Sequence, residues 1–440
     1  TTASGVNGAG EVVSRIIFLF FSLAVLVVQP LRAINALHGE IKSTTIDLMV
    51  LTKLSARRIV AGKWAAIVGQ TALLFISILP YLILRYFFGG MNLFSEILAL
   101  FSIFLFSCCL TAFNVGVSAN SAIIVRALVP LAIAVFMIIG CFGICLNSEF
   151  EELLAFFALE SSDEVTIYFT VLLATIYVAW TSFGHAVSGI APASENHSTL
   201  NRLITLAIMA IVGAIFYFAK VDPEIVPFCI GLLALPGIIL GLTEKNFLMP
   251  RLTVPFLKRG FLGRVCGIFL YPCLSAGIFY ALLLVFIIIG ITALVYQHVT
   301  HSYYDEAFCG ILISSGTILF PAVFVCLLQK RIENRLGIFT AIFAGSIALM
   351  AAVSAIAEST NAEAAAWLFA WLPPMQFYLL ADANSLETGS VIVTAVITDL
   401  IIIVFLFLHA MRHFTLIREA EAEALATCFA SSEQEADSVG

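Results

Sequence analysis

The chain has 440 residues, of which 61% are hydrophobic and 11% charged, and its mean hydropathy is +1.08. No soluble domain with a water-facing surface tolerates that balance, so the composition predicts an all-α polytopic membrane protein and excludes a soluble enzyme or a nucleic-acid-binding module. The formal charge of −7 misleads as a single number, because acids and bases segregate along the chain.

A bilayer core requires about 20 apolar residues per helix. That rule predicts eleven spans, at 16–37, 64–88, 93–118, 123–146, 165–190, 203–219, 225–242, 265–296, 307–328, 337–357 and 389–411. Placing the residues before the first span outside puts 18 of the 21 Lys and Arg residues in cytoplasmic loops or helix ends, and leaves Arg15, Arg85 and Lys220 outside. The positive-inside rule therefore selects this orientation. An odd number of spans separates the termini, and a twelfth helix ahead of Thr1 is the expected completion. No basic-then-apolar leader is present at the start.

In chain order, Pro30 and Pro80 lie within the first two spans and predict kinks. Between these spans runs Gly39–Lys63, GEIKSTTIDLMVLTKLSARRIVAGK, the longest polar interruption of the first third. Ser43 or Thr44 is placed to cap a short helix through Thr52, and Ser55 to cap a second that starts with Arg57 and Arg58 and continues into the apolar run from Trp64. The result is an elbow along the membrane surface, basic residues toward water and lipid phosphate. Over 147–164, Phe150, Leu153, Leu154 and Phe157 share one helical face among six acids, which predicts an amphipathic outer helix serving as a solvated cap.

The second half repeats the rhythm: a basic connection, TEKNFLMPRLTVPFLKRGFLGR, a long helix from Cys266, two more spans and an outer insertion at 359–385 before the last span. Pro373 and Pro374 predict a break there, with Trp367, Trp371, Phe377 and Tyr378 suited to an interfacial belt or re-entrant hairpin. The order suggests a degenerate duplication of a six-helix unit, 1–200 lacking its first helix and 201–411 keeping all six. Residues 412–440 form an acidic cytoplasmic tail that begins helical and ends disordered.

Ordinary catalytic signatures are missing. Gly62-Lys63 lacks the upstream glycine of a phosphate-binding loop, and neither HExxH nor a nucleophile elbow occurs. Most cysteines fall in apolar runs, where they pack as small hydrophobes, and His298 with His301 supplies half of a metal site at best. No cofactor, metal or nucleic-acid partner is expected. Asp399, in the middle of the last span, is the exception: a carboxylate there costs about 3 kcal/mol to insert, so pairing, protonation or a place on a transport path must offset it. Asn114 and His185 are weaker candidates for interhelical hydrogen bonds. Asp399 and Asn114 are the candidate translocation-path residues.

The elbow closely resembles the cytoplasmic loop of ATP-binding-cassette transporter permeases of the type-2 exporter class. Glu40, Thr45, Ile46, Asp47, Leu48, Leu51, Thr52, Leu54, Ser55, Ile59, Gly62 and Lys63 follow that family's order, while Lys53 stands where proline is usual, Thr44 where glycine is usual and Arg58 where an acid is common. The resemblance implies that Glu40, Thr45, Asp47, Leu48, Leu51, Thr52, Leu54 and Ser55 dock on a separate cytoplasmic ATPase subunit. The chain itself would then be a permease in a bacterial cytoplasmic membrane, without a nucleotide site of its own, in contact with membrane lipids. Two copies or two unlike chains would pair, or the two halves would pair within one chain. The competing expectation is an ion-coupled secondary carrier that uses Asp399.

Overall fold

The computed structural model describes residues 3–42, 54–86, 92–147, 149–191, 195–222, 225–298, 304–329, 331, 334–360, 366–382 and 385–439. Every regular element among them is helical, and eleven helices are long and apolar enough to cross a bilayer. The protein is an all-α, multi-pass integral membrane protein. Its chain divides into two compact units, Thr1–Ala191 and Pro192–Gly440.

The first span of unit 1 is one path of several pieces. Helix α1 (Ala3–Ser22) widens into a π-helical stretch (Leu23–Val28), then α2 (Gln29–Leu31), a tight turn (Arg32–Asn35) and α3 (His38–Lys42). Pro30 explains the widening. In the π register, where Gln29 N–H reaches the Ala24 carbonyl, the next donor would serve Val25, and Pro30 has no N–H to give. Ser107 on the neighbouring helix donates to the Val25 carbonyl instead, at 2.5 Å. A second π-helical stretch, Ile124–Leu128, likewise lies just ahead of a proline, Pro130.

Helix α4 (Ala56–Tyr86) runs unbroken through Pro80. Helix α5 (Leu93–Ser118), capped by Asn92, then leads through the second π stretch to α6 (Val129–Leu146). The short α7 (Glu149–Phe156) and the long α8 (Ser162–Ile190) complete the unit. The most extensive packing is α5 on α8, drawn close where a β-carbon on Gly116 would collide with the Ser182 backbone. The expected outer helix over 147–164 fills only part of that range: α7 ends at Phe156, with the Phe157 N–H still bonded to the Leu153 carbonyl. The chain then turns at Leu159, whose φ of +53° is left-handed, and a capping box between Ser161 and Glu164 starts α8. Phe150 is wholly buried against Phe18, with ring centroids 5.3 Å apart, and this pins α7 to the bundle.

Unit 2 contains α9 (Ser198–Ala219), α10 (Ile225–Leu242), α11 (Val254–Leu257), α12 (Gly260–Leu270), α13 (Leu274–His298), α14 (Tyr304–Leu328), α15 (Arg335–Thr360), α16 (Pro373–Asp382), α17 (Ser385–Arg412) and α18 (Phe414–Val439). Two expectations change here. The eighth span begins at Leu274, not 265, because Tyr271 precedes Pro272 and is forced into extended backbone (ψ 140°). Pro373 and Pro374 do not merely break the chain: they open α16, where a missing N–H costs nothing. The tail is helical through Val439, as its Ala- and Glu-rich composition favours. Both units run span, polar connection, long span, two spans, short helix, span, and unit 2 carries α9 ahead of that series.

Candidate functional site

The two flanks of the elbow are locked to unit 1. On the incoming side, Leu37 is fully buried and its N–H donates to Ser118 Oγ at 3.3 Å. On the outgoing side, Ser55 occupies the N-cap position of α4, its carbonyl accepting from Arg58 and Ile59 N–H. Ala33, Leu37, Ala56, Val60, Val115, Ala186 and Val187 form one apolar cluster that joins the flanks to the ends of α5 and α8. Glu40 and Lys63 form an ion pair between the two flanks, and Trp64 Nε1 donates to the Cys108 carbonyl at 2.9 Å. Leu54, Ser55, Arg57 and Arg58 are exposed. Of the predicted docking residues, Glu40, Leu54 and Ser55 lie in this framework, whereas Thr45, Asp47, Leu48, Leu51 and Thr52 lie outside the described residues. Both flanks of 43–53 are thus fixed to unit 1, and the outgoing flank is continuous with the 31-residue helix α4.

Asn114, also in unit 1, is 5% exposed and donates through Nδ2 to the Pro30 carbonyl at 2.9 Å. It ties α5 to the irregular part of the first span.

The second constellation belongs to unit 2. Asp399 is 4% exposed, and Ser315 Oγ donates to its Oδ2 at 2.7 Å. Its Oδ1 has no hydrogen-bond partner among the described residues. That oxygen occupies the space left by Gly316, where a β-carbon would overlap it. Gln376, fully buried on α16, donates through Nε2 to the Ala370 carbonyl at 2.9 Å and to Thr398 Oγ1 at 2.8 Å, while its Oε1 is likewise unpartnered among the described residues. The packing of α14, α16 and α17 therefore buries a carboxylate and an amide with acceptor capacity to spare. Such a group takes a proton or a donor far more readily than it stays bare in an apolar medium.

No family model, curated protein or solved structure matches this chain. The residues above therefore carry the functional reading by themselves.

Sequence reasoning passed over several buried polar groups. Glu96, 2% exposed, accepts from Ser14 Oγ at 3.3 and 3.2 Å. An acid one turn into an apolar span is the signal available in the sequence. Arg202, counted by sequence with the loop cations, is 3% exposed and binds Glu244 at 2.5 Å and the Phe269 carbonyl at 2.6 Å. Arg335 donates to the Glu244 carbonyl, and Tyr280 donates to the Arg202 carbonyl at 2.9 Å. Burial raises the Glu244 carboxyl above its ordinary value against the opposing pull of Arg202. Tyr271 donates to Glu421 at 2.8 Å, so α18 is fastened to the connection between α10 and α13.

Proposed function

We propose that the chain is the membrane-spanning subunit of an ATP-driven transporter of the ATP-binding-cassette type, an exporter, working with a separate cytoplasmic ATPase. The observation that carries the reading is the elbow: its flanks are anchored through Leu37, Ala56 and Val60, and its outgoing arm is α4 itself. A subunit closing on ATP does work on a membrane helix only through a stiff connection, and the resemblance of Glu40 through Lys63 to the docking loop of type-2 permeases supplies the partner. Exposed Leu54 and the basic pair Arg57 and Arg58 present an apolar contact beside positive charge. A bacterial cytoplasmic membrane suits this reading.

The test is to purify the chain from its native membrane and identify the ATPase that accompanies it. Hydrolysis and transport are then measured for Asp47→Ala and Leu51→Asp. Retained hydrolysis with lost transport supports docking through the elbow, and an unaltered ratio of transport to hydrolysis removes it.

The buried Asp399, bonded to Ser315 alone among the described residues, favours a second reading, an ion-coupled carrier. Uptake or efflux that continues under an ion gradient after ATP is exhausted, and stops in Asp399→Asn, would replace the first reading with this one.

A further inference from the structure

Unit 2 contains a cleft of about 250 Å³ between α10 and α14, with α13 behind it. Its origin is legible in side-chain size. One face of α10 presents Pro227 and Gly231, and the facing stretch of α14 presents Ser314, Ser315 and Thr317, where larger residues would fill the space. A β-carbon on Gly231 would meet nothing closer than Ile288 at 4.0 Å. The floor is buried, formed by Ile238, Val285 and Ile288, whereas the rim residues Phe228 and Leu232 are 61% and 50% exposed.

Every lining segment apart from α16 belongs to a helix long and apolar enough to span the bilayer, so the cleft lies at hydrocarbon depth and opens past Phe228 and Leu232 onto the surroundings of the span. An empty void of this size forfeits the packing of all its walls. Water offers little relief: the three hydroxyls in the lining already donate to the Gly310, Leu312 and Ile313 carbonyls or to Asp399, and the other lining residues are apolar, the kind of wall that stays dry. The material available at that depth that matches the walls is an alkyl chain.

We propose that the cleft is a binding site for one hydrocarbon chain of a membrane amphiphile. Resting on the transporter reading above, it gives the substrate class as an amphiphile carrying a long chain, not a polar solute. The chain lies along Gly231 and Leu235 on one side and Ile311 and Ile318 on the other, and Phe343 and Phe377 border the same space. Ser315 joins the two sites, since it lines the cleft and donates to Asp399. A chain seated there presses on the element that holds the buried acid.

The experiment uses the full chain in lipid nanodiscs containing a phospholipid with a diazirine midway along one acyl chain. After photolysis, adducts are mapped by mass spectrometry. Labelling is expected severalfold higher at residues 227–238 and 311–318 than at the exposed lipid-type face of α17 around Val393 and Leu400. Gly231→Trp, which fills the cleft, is expected to reduce labelling there to the α17 level and leave α17 unchanged. Gly231→Leu, a smaller filler, gives an intermediate loss and guards against misfolding of the first variant. Even labelling of both faces, or labelling of the cleft that survives both substitutions, overturns the proposal. This binding readout needs no ATPase. Failure of the chain to co-purify with an ATPase would therefore remove the transporter reading and leave the cleft assignment standing, whereas uniform labelling removes the cleft assignment alone.

Discussion

Ser107 shows how far one hydroxyl reaches in this protein. Its bond to the Val25 carbonyl satisfies an acceptor that Pro30 leaves without a donor, in a setting where water is absent. Ser107→Ala is expected to lower stability by about 1–2 kcal/mol, read as a reduced melting temperature in detergent. Ser107→Thr keeps the hydroxyl and should restore most of it. If both variants melt alike, the bond is not what holds the π-helical stretch.

Glu244 is a second buried group with a readable consequence for stability. Its carboxyl is raised by burial, with Arg202 opposing. A raised acid binds more protons folded than unfolded, so its contribution to stability is complete below the ordinary value of 4.5 and is lost as pH rises through the folded value. Glu244→Gln removes that titration and should flatten the pH dependence of stability in this window. Denaturation of both proteins across a pH series checks the sign, and steeper dependence in the variant would refute it.

Among the elements, an ion pair links the flanks of the elbow and a buried amide anchors α16. The Glu40 and Lys63 pair is partly exposed, at 22% and 39%, and pairs of this kind contribute about 1 kcal/mol or less. Glu40→Lys should therefore leave folding intact. If the elbow transmits force, the same change should lower transport per ATP hydrolysed, and adding Lys63→Glu should recover part of the coupling. Coupling that ignores both changes would mean that the pair is ornamental. For α16, Gln376 bridges the Ala370 carbonyl and Thr398, and Gln376→Leu is expected to cost about 1–3 kcal/mol because it strands a buried carbonyl. Thermal unfolding of the purified variant measures that cost.

These elements also show where sequence periodicity runs out. The stripe Phe150, Leu153, Leu154, Phe157 predicts an amphipathic helix and α7 nearly spans it, yet 147–164 is not one helix, because left-handed Leu159 separates α7 from α8. Likewise, apolarity from Cys266 onward suggested one long helix, while Pro272 and its neighbour Tyr271 divide it in two. Mean hydropathy reports what a segment is dissolved in, not whether its backbone is continuous. The Arg202 site was invisible for a related reason: its partners Glu244 and Phe269 are 42 and 67 residues away in sequence, and only packing brings them together.

At the scale of the whole molecule, the 18 to 3 distribution of basic residues predicts that the elbow faces the cytoplasm. Single cysteines at Leu54 and at Glu152, in a background without native cysteines, should react with a membrane-impermeant thiol reagent in opposite preparations: Leu54 only after the inner face is opened, Glu152 in intact cells. The reverse pattern would sink both the orientation and the docking proposal. Composition by itself determined that the chain is helical and repeatedly crosses a membrane, because a backbone in hydrocarbon must satisfy its own hydrogen bonds and apolar stretches of about 20 residues leave it no other way. The sequence also marks 39–63 as the longest polar interruption of the first third and Asp399 as an acid that requires an explanation. Only the tertiary structure decided that Asp399 leans on Ser315 beside Gly316, that Glu96 and Arg202 are buried, and that small residues on α10 and α14 leave a cleft between them. Those facts depend on which helix faces meet, and residues distant in sequence become neighbours only when the bundle closes.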